Sequence, residues 1–446
     1  MPNKRPSIAV LGAGESGEAA ARLLVQTGAM ITVLDTAEIE KLRKKIDALG
    51  ADGIRVIAGL AAEHAAEHEH FDRAILSPGI DPAVPLVQHF IKRRIDMIGE
   101  LELAYEMCHC PIIGITGTNG KTTTTQLVEQ VLLGCGVKTA AAGNIGPAFS
   151  ARVRESSALD VMTLEISSFQ LEAIRQFRAN IAVWLGFAAD HLDRYHSMDE
   201  YYAAKIRIFE NQTADDWAVV NFRDKLPELR AKRITFSAFA RGGDFDLRDG
   251  VVHHHDVPVL AMRDTQLRGA HNAENVMASL GVGRAWGLEF AAMCAPICAY
   301  KPLPHRCEPI RVLDGVEWVN DSKGTNPDSV EKALLGETRP VVLIAGGKDK
   351  GFEYSLLTDV VAQRCRCVVT LGEMADRIEA LWRDRLPVHN AARSLARAVE
   401  LAREHAQPGD IVLFSPGTSS FDMFKNYAER GNQFRALVQA LSPNQP

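Results

Sequence analysis

Twice in this chain a short apolar run breaks into a glycine-rich turn that opens a helix-forming stretch. Ser7–Leu11 leads into Gly12-Ala13-Gly14-Glu15-Ser16-Gly17, and Pro111–Thr116 leads into Gly117-Thr118-Asn119-Gly120-Lys121-Thr122. A continuous apolar run of this length reads as a buried parallel strand. Glycines between such a strand and a helix allow a tight turn and leave the helix N-terminus open to a phosphate. A third stretch of strand-helix alternation follows Tyr300-Lys301-Pro302-Leu303-Pro304, where two prolines in three residues suit a linker. The chain therefore reads as α/β units with mostly parallel sheets.

At roughly 100–200 residues per domain, 446 residues suit two to four domains. The three restarts select three: 1–109, 110–302 and 303–446. In the first, a helix is expected over about Glu15–Gln26, closed near Gly28. Strands follow at Met30–Leu34, ending at Asp35, and at Arg73–Leu76, ending in Ser77-Pro78-Gly79-Ile80. The second has a helix over about Lys121–Leu133, strands at Val161–Leu164 and Ile181–Leu185, and a polar, glycine-rich patch over about Ala240–Asp256. Strands at Val316–Val319, Val341–Ala345, Cys367–Leu371 and Ile411–Phe414 belong to the third.

Composition removes several classes. With 46% hydrophobic and 24% charged residues, the chain is neither disordered nor collagenous. A net charge of −6 makes no electrostatic case for nucleic acid or an anionic membrane. The longest apolar runs, such as IAVWLGFAA at 181–189, fall short of the ~18 residues a bilayer span needs. The opening MPNKRP carries no signal-peptide pattern, and eight cysteines are too sparse for a disulfide scaffold. A cytoplasmic protein with reduced thiols is expected. The Cys108/Cys110 and Cys365/Cys367 pairs have C-x-C spacing, which is wrong for a zinc half-site.

The first glycine turn, with Asp35 at the end of the second strand, suits NAD or FAD, another nucleotide, or tight packing alone. The second misses the strict Walker pattern by one position, since Ile115 stands where a glycine is required. Its physics survives: backbone N–H groups cradle phosphates, Lys121 reaches the β/γ oxygens, and Thr122 can ligate Mg²⁺. Two nucleotide-type turns make redox chemistry on NAD less apt and breakage of a phosphoanhydride more so. Glu165 ends an apolar strand, where a carboxylate is costly unless paired or metal-bound. Glu165, His191 and Thr122 make a plausible Mg²⁺ site at the carboxyl ends of parallel strands. Ser415-Pro416-Gly417-Thr418-Ser419-Ser420-Phe421-Asp422 looks like an anion-binding turn. His253-His254-His255 reads as a solvated stretch of polar loop, and His64-Ala65-Ala66-Glu67-His68 as a surface helix rather than a zinc motif.

In order along the chain come GTNGKT, LEISSFQLE, DHLDRY, GAHNAEN, LPHR, NDSKGTN and SPGTSSFDMFKNYAERGNQF. Together they resemble the Mur ligase family, the ATP-dependent amide ligases of peptidoglycan precursor synthesis, over nearly the whole chain. The resemblance implies a Rossmann-like N-terminal domain for the UDP substrate, a central P-loop-type ATPase domain, and a Rossmann-like C-terminal domain that brings the amino acid. Gly14, Glu15, Ser16, Asp35, Thr36, Ser77, Gly79, Asn144 and His191 would then hold the UDP substrate. Gly117, Thr118, Asn119, Gly120, Lys121, Thr122, Thr123, Asn275, Arg306, Asp321 and Lys323 would line the ATP side. Thr325, Lys350, Ser420, Phe421 and Tyr427 would meet the amino acid, with Lys348 a competitor for the role of Lys350.

Catalysis would rest on Lys121, Glu165, His191 and Lys205, with Thr122, Glu165, His191 and Lys205 around two Mg²⁺ ions. Lys205 matches the family's carbamylated lysine. The implied reaction adds D-glutamate to UDP-N-acetylmuramoyl-L-alanine through an acyl phosphate, in a monomer that binds only these small molecules and ATP. A sister ligase for another amino acid, a folylpolyglutamate synthase, or a nucleotide-sensing non-enzyme are the competing readings. The first-domain GAGESG turn argues against the folate enzyme. LGFAA at 185–189 replaces the family's more usual asparagine-containing approach to the DH pair.

Overall fold

The structure, a computed structural model, describes residues 5–190 and 194–443. Three separate sheets carry the chain, in the order of the three restarts. The first has five parallel strands in the spatial order Arg55–Ala58, Met30–Asp35, Ser7–Leu11, Arg73–Leu76, Asp96–Gly99. Ser7–Leu11 lies at the centre because it is apolar on both faces, and Val10 and Leu11 are fully buried. The strand order reverses beside it, and the Gly12–Gly17 turn emerges there, at the carboxyl ends of the strands.

The central sheet has nine strands. Thr139–Gly143, Val161–Glu165, Ile112–Thr116, Ile181–Trp184, Trp217–Asn221 and Lys232–Ser237 run parallel, and Phe245–Arg248 joins them in parallel. Val251–His254 and Val257–Ala261 extend the edge as an antiparallel meander. The expected polar patch at Ala240–Asp256 therefore contains two strands, and His253 and His254 lie on the second, not in a loop. The period-2 signal was hidden by charged side chains that pair within the sheet: Arg248 grips Asp246 at 2.8 Å while Phe245 and Val252 fill the core. The cover is the long helix Ala270–Trp286, buried along most of its length and ended by Gly287 at φ +91°.

The third sheet runs Glu308–Leu313, Val316–Asn320, Ile411–Phe414, Val341–Gly346, Cys365–Leu371, Val388–Asn390, all parallel except the first strand. The helix Pro327–Leu335 starts where Asn326 caps it, its side chain accepting from Ser329 N at 2.9 Å, with proline in the first turn.

The first and second sheets are stapled together by the segment Gly99-Glu100-Leu101-Glu102. Buried Glu102 accepts from the backbone N–H groups of Arg175, Gln176 and Phe177 at 2.7–3.0 Å. Glu100 accepts from Ser150 N at 2.7 Å. No helix among the described residues is long and apolar enough to cross a membrane.

Candidate functional site

The phosphate loop leaves the Ile112–Thr116 strand through two glycines with left-handed backbone, Gly117 at φ +148° and Gly120 at φ +84°. A side chain at Gly120 would run into the amide of Asn275. The loop is pinned to the neighbouring strand end: Thr118 N donates to Gly186 O at 2.9 Å, and Thr118 Oγ1 bonds both Ala188 O and Ala188 N. Gly186, at φ +135°, lies within the LGFAA stretch and meets Thr118 through its backbone. Lys121 opens the helix Lys121–Gly134, with Thr122 and Thr123 buried behind it.

Two lysines converge beneath this loop. Lys121 Nζ donates to the carbonyls of Gly117 and Thr118, both at 2.9 Å. Lys205, on the helix Met198–Ile206, donates to the same Gly117 carbonyl at 2.9 Å and lies 4.8 Å over the Tyr201 ring. Lys205 is 1% exposed. Burial pushes both lysines below the usual lysine range, Lys205 well below it with Lys121 adding repulsion, while Glu165 and Asp190 pull each back up.

Glu165 ends the Val161–Glu165 strand and is 2% exposed. Its Oε1 accepts from Asn144 Nδ2 at 2.8 Å, while its buried Oε2 has no hydrogen-bond partner among the described residues. A buried carboxylate oxygen left without a donor, beside a phosphate loop and Thr122, fits a Mg²⁺ ion completed by phosphate oxygens. Among the described residues no three His, Cys, Asp or Glu side chains gather as a metal cage. His191, the expected histidine ligand, lies outside the described residues.

The third sheet closes the cleft from the opposite side. Arg306, Asp321, Lys323, Thr325 and Lys350 line it together with the phosphate loop, Asn144, Glu165, Lys205 and Asn275. Asp321 is pushed up to about 6 by burial, against hydrogen bonds from Ser415 Oγ at 2.7 Å and Cys307 N at 3.2 Å. Lys323 is pulled down to about 8 by burial and by the nearby Arg306 and Lys121. It sits 4.5 Å over the Tyr427 ring, which places Tyr427 behind the cleft. Lys350 pairs with Asp190 at 3.3 Å, whereas Lys348 is exposed, so Lys350 is the lysine that faces the cleft.

Ser420 and Phe421 do not line the cleft. Ser420 is buried in its own turn and Phe421 is 68% exposed.

The first-sheet residues form a separate cluster. Asp35 accepts from Ala13 N at 2.7 Å and Ala37 N at 2.8 Å, so its carboxylate ties the glycine turn to the next loop. A side chain at Gly17 would strike the Gly12 carbonyl and Ser77 Oγ. Ser77 Oγ is buried with no partner among the described residues. Gly14, Glu15, Thr36 and Gly79 are exposed around it and Ser16 is half-buried.

Several residues escaped the sequence reading. Lys45 donates to the Ala13 carbonyl from the helix Ile39–Ala51. Asn326 and Asp190 bond each other across the cleft at 3.1 Å. Arg430 is buried and donates to Ser322 Oγ, Ser322 O and Thr418 O at 2.8–3.1 Å, joining two turns of the third sheet. Burial pulls its guanidinium down to about 10. The spacing Arg430, Phe434, Val438 puts it on the buried stripe of its helix, which was the available signal.

Comparison with known proteins follows the same three parts. Residues 6–99 match the model of the Mur ligase MurD-like N-terminal domain, 115–283 that of the Mur ligase middle domain, and 305–417 that of the Mur ligase glutamate ligase domain. A UDP-N-acetylmuramoylalanine--D-glutamate ligase from Geobacter metallireducens is 39% identical over 450 residues, covering 98% of this chain and 97% of its own. The enzyme of the same name from Syntrophotalea carbinolica is 40% identical over 446 residues, covering 98% of each. Among solved structures, the UDP-N-acetylmuramate-alanine ligase MurC of Thermotoga maritima superposes with a TM-score of 0.60 at 18% identity, covering 97% of this chain and 99% of its own. A pseudomurein peptide ligase type C from Methanothermus fervidus gives 0.62 at 16% identity, with 98% and 100% covered. These two are similar in fold.

Proposed function

Because the chain belongs to the Mur ligase family, we propose that it joins D-glutamate to UDP-N-acetylmuramoyl-L-alanine by ATP-dependent amide bond formation, as an ADP-forming acid–amino-acid ligase of peptidoglycan precursor synthesis. The names of the relatives at 39–40% identity support the choice of substrates. The carrying observation is the convergence of Lys121, Lys205, Arg306 and Lys323 with the half-satisfied Glu165 in one cleft.

The chemistry explains the convergence. A carboxylate must attack the γ-phosphate of ATP to form an acyl phosphate, and both reactants are anions. Fixed cations in the cleft offset that repulsion and the charge that develops at the transferred phosphoryl group. Lys121 and the loop N–H groups hold the β/γ phosphates, with Arg306 and Lys323 facing them from the third domain. Bound Mg²⁺, two ions in this reading, would supply Lewis-acid stabilisation of the phosphates; Thr122, Glu165, His191 and Lys205 would hold it. Burial of Lys205 favours the neutral amine that can add to CO₂ with loss of a proton, and the resulting carbamate would supply, beside Glu165, a second carboxylate-like group to hold Mg²⁺.

Asn275 and Asp321 belong to the nucleotide side. Thr325, Lys350 and Tyr427 receive the amino acid, with Lys350 pairing its carboxylate; Ser420 and Phe421 join them only if their turn moves. The first-domain cluster of Gly14, Glu15, Ser16, Asp35, Thr36, Ser77 and Gly79 holds the UDP moiety, and Asn144 with His191 the acyl end. The domains are 1–109, 110–302 and 303–446, and the enzyme acts as a cytoplasmic monomer.

Purified protein with UDP-N-acetylmuramoyl-L-alanine, ATP and Mg²⁺ should release phosphate only when D-glutamate is added. Release with L-lysine or diaminopimelate in its place overturns the assignment.

A further inference from the structure

Asn119 occupies the tip of the phosphate loop, yet its side chain points to the third domain. Its Nδ2 donates to Asp328 Oδ2 at 2.6 Å and to Asn326 Oδ1 at 3.3 Å. Its Oδ1 accepts from Asn326 Nδ2 at 3.4 Å and lies 3.1 Å from Ser329 Oγ, whose single proton has the shorter contact, 2.7 Å, with Asn326 Oδ1. Donor and acceptor groups of this amide are thus both engaged by the first turn of the helix Pro327–Leu335, across more than two hundred residues of sequence. The same turn reaches one step further, since Asn326 Nδ2 also donates to Asp190 Oδ2 at 3.1 Å.

We propose that Asn119 and the Asn326–Ser329 turn form a polar latch that docks the third domain on the phosphate loop, with Asn119 and Asp328 as its positioning residues. The inference rests on the ligase reading for its kinetic consequence and on geometry for its existence. The hydrogen-bonding groups of the Asn119 amide are taken up by this turn of the third domain. A side chain that meets both a carboxylate and an amide from another domain registers whether that domain is in place. Asp328 suits this role because its carboxylate makes a charge-assisted bond with Asn119 and is itself steadied by Lys332 at 2.8 Å, one turn along the helix. Arg306, Lys323 and Lys350 come into the cleft from this same domain. Docking through Asn119 therefore delivers them to the loop that holds the phosphates, and couples amino-acid delivery to the nucleotide site.

The test is a double-mutant cycle on the full chain, read as kcat/KM for the acceptor amino acid. Asp328→Ala should lower it about tenfold, the loss of one hydrogen bond to a charged group. In the Asn119→Ala background the same change should cost less than about twofold, since its partner is already gone. Asp328→Asn keeps an acceptor oxygen and should recover most of the rate. Equal losses from Asp328→Ala in both backgrounds overturn the latch. Small-angle scattering on the ligand-free protein gives a reading independent of activity. Asp328→Arg should enlarge the radius of gyration, and a radius unchanged from the unaltered chain counts against docking through this turn. Failure of the unaltered chain to release phosphate with D-glutamate would instead overturn the proposed reaction, leaving scattering to decide the latch.

Discussion

Lys121 and Lys205 share one acceptor, each donating from Nζ to the carbonyl oxygen of Gly117 at 2.9 Å. Two ammonium groups on a single buried carbonyl repel, and burial penalises both charges. The arrangement is stable when one lysine is neutral or when anions arrive. Both conditions suit a carbamate-forming Lys205 beside a phosphate-holding Lys121. Lys205→Ala should cost about 100-fold or more in turnover, and short carboxylates such as formate or acetate should restore part of it. A loss that no added carboxylate relieves would reduce Lys205 to a packing role.

Lys121→Ala removes the cation proposed to meet the β/γ phosphates. Turnover should fall by about 10²–10³, the usual loss for one fixed group that stabilises transition-state charge, with the thermal midpoint nearly unchanged. Full ligation by this variant would end the phosphate-cradle assignment.

Lys323 titrates near 8 in the folded chain, below the ordinary lysine range. Its positive charge is present below that pH and lost above it. Nucleotide affinity of the free protein should therefore weaken as pH rises through about 8, and Lys323→Arg should flatten that step. The same depression has a stability sign. Between about 8 and the ordinary lysine value the unfolded chain holds a proton the folded chain has lost, so this group makes the fold more stable as pH rises there. Isothermal titration from about pH 7 to above pH 9 checks the first statement and urea midpoints the second.

Glu102 is the only acceptor among the described residues for three consecutive side-by-side amides, those of Arg175, Gln176 and Phe177. Glu102→Ala leaves three donors unpaired at a domain joint and should destabilise by about 3 kcal/mol or more. Glu102→Gln keeps one acceptor oxygen and should lie between. Denaturant midpoints for the three proteins decide it, and a loss below about 1 kcal/mol for the alanine variant would show that water replaces the carboxylate.

Gly17→Ala places a methyl group against the Gly12 carbonyl and Ser77 Oγ. The first-domain turn must open, so KM for the UDP substrate should rise at least about tenfold, with KM for ATP little changed. Equal shifts in both would mean that the turn does not serve the UDP substrate alone.

Much of the central strand set was legible because buried parallel strands are apolar throughout. Ser7–Leu11, Arg73–Leu76 and Ile411–Phe414 have the bounds their composition implies. Edge strands were not legible, because one side faces water and the period-2 signal shrinks to a few residues. Val388–Asn390 and Asp96–Gly99 are of this kind. The Gly117–Thr122 turn and the position of Glu165 at its strand end were readable from local order, whereas Lys205 was singled out by resemblance to a family alone. Glu102 was not readable, because a charged residue on a helix reads as solvated until its partners are known, and Arg430 offered only the apolar spacing of Phe434 and Val438.

The sequence by itself determined the three α/β units and the two glycine turns with the side chains that open the helices after them. These depend on local rules: apolar runs, left-handed backbone at glycine, and side chains next to a helix start. Tertiary structure alone decided which of them share a cleft. It brought Lys350 to Asp190 and left Lys348 in solvent, two residues away. It also directed the Asn119 amide to Asp328, on another domain. Such choices are settled by packing and by the pairing of buried charges, which depend on distance in space and not on distance along the chain.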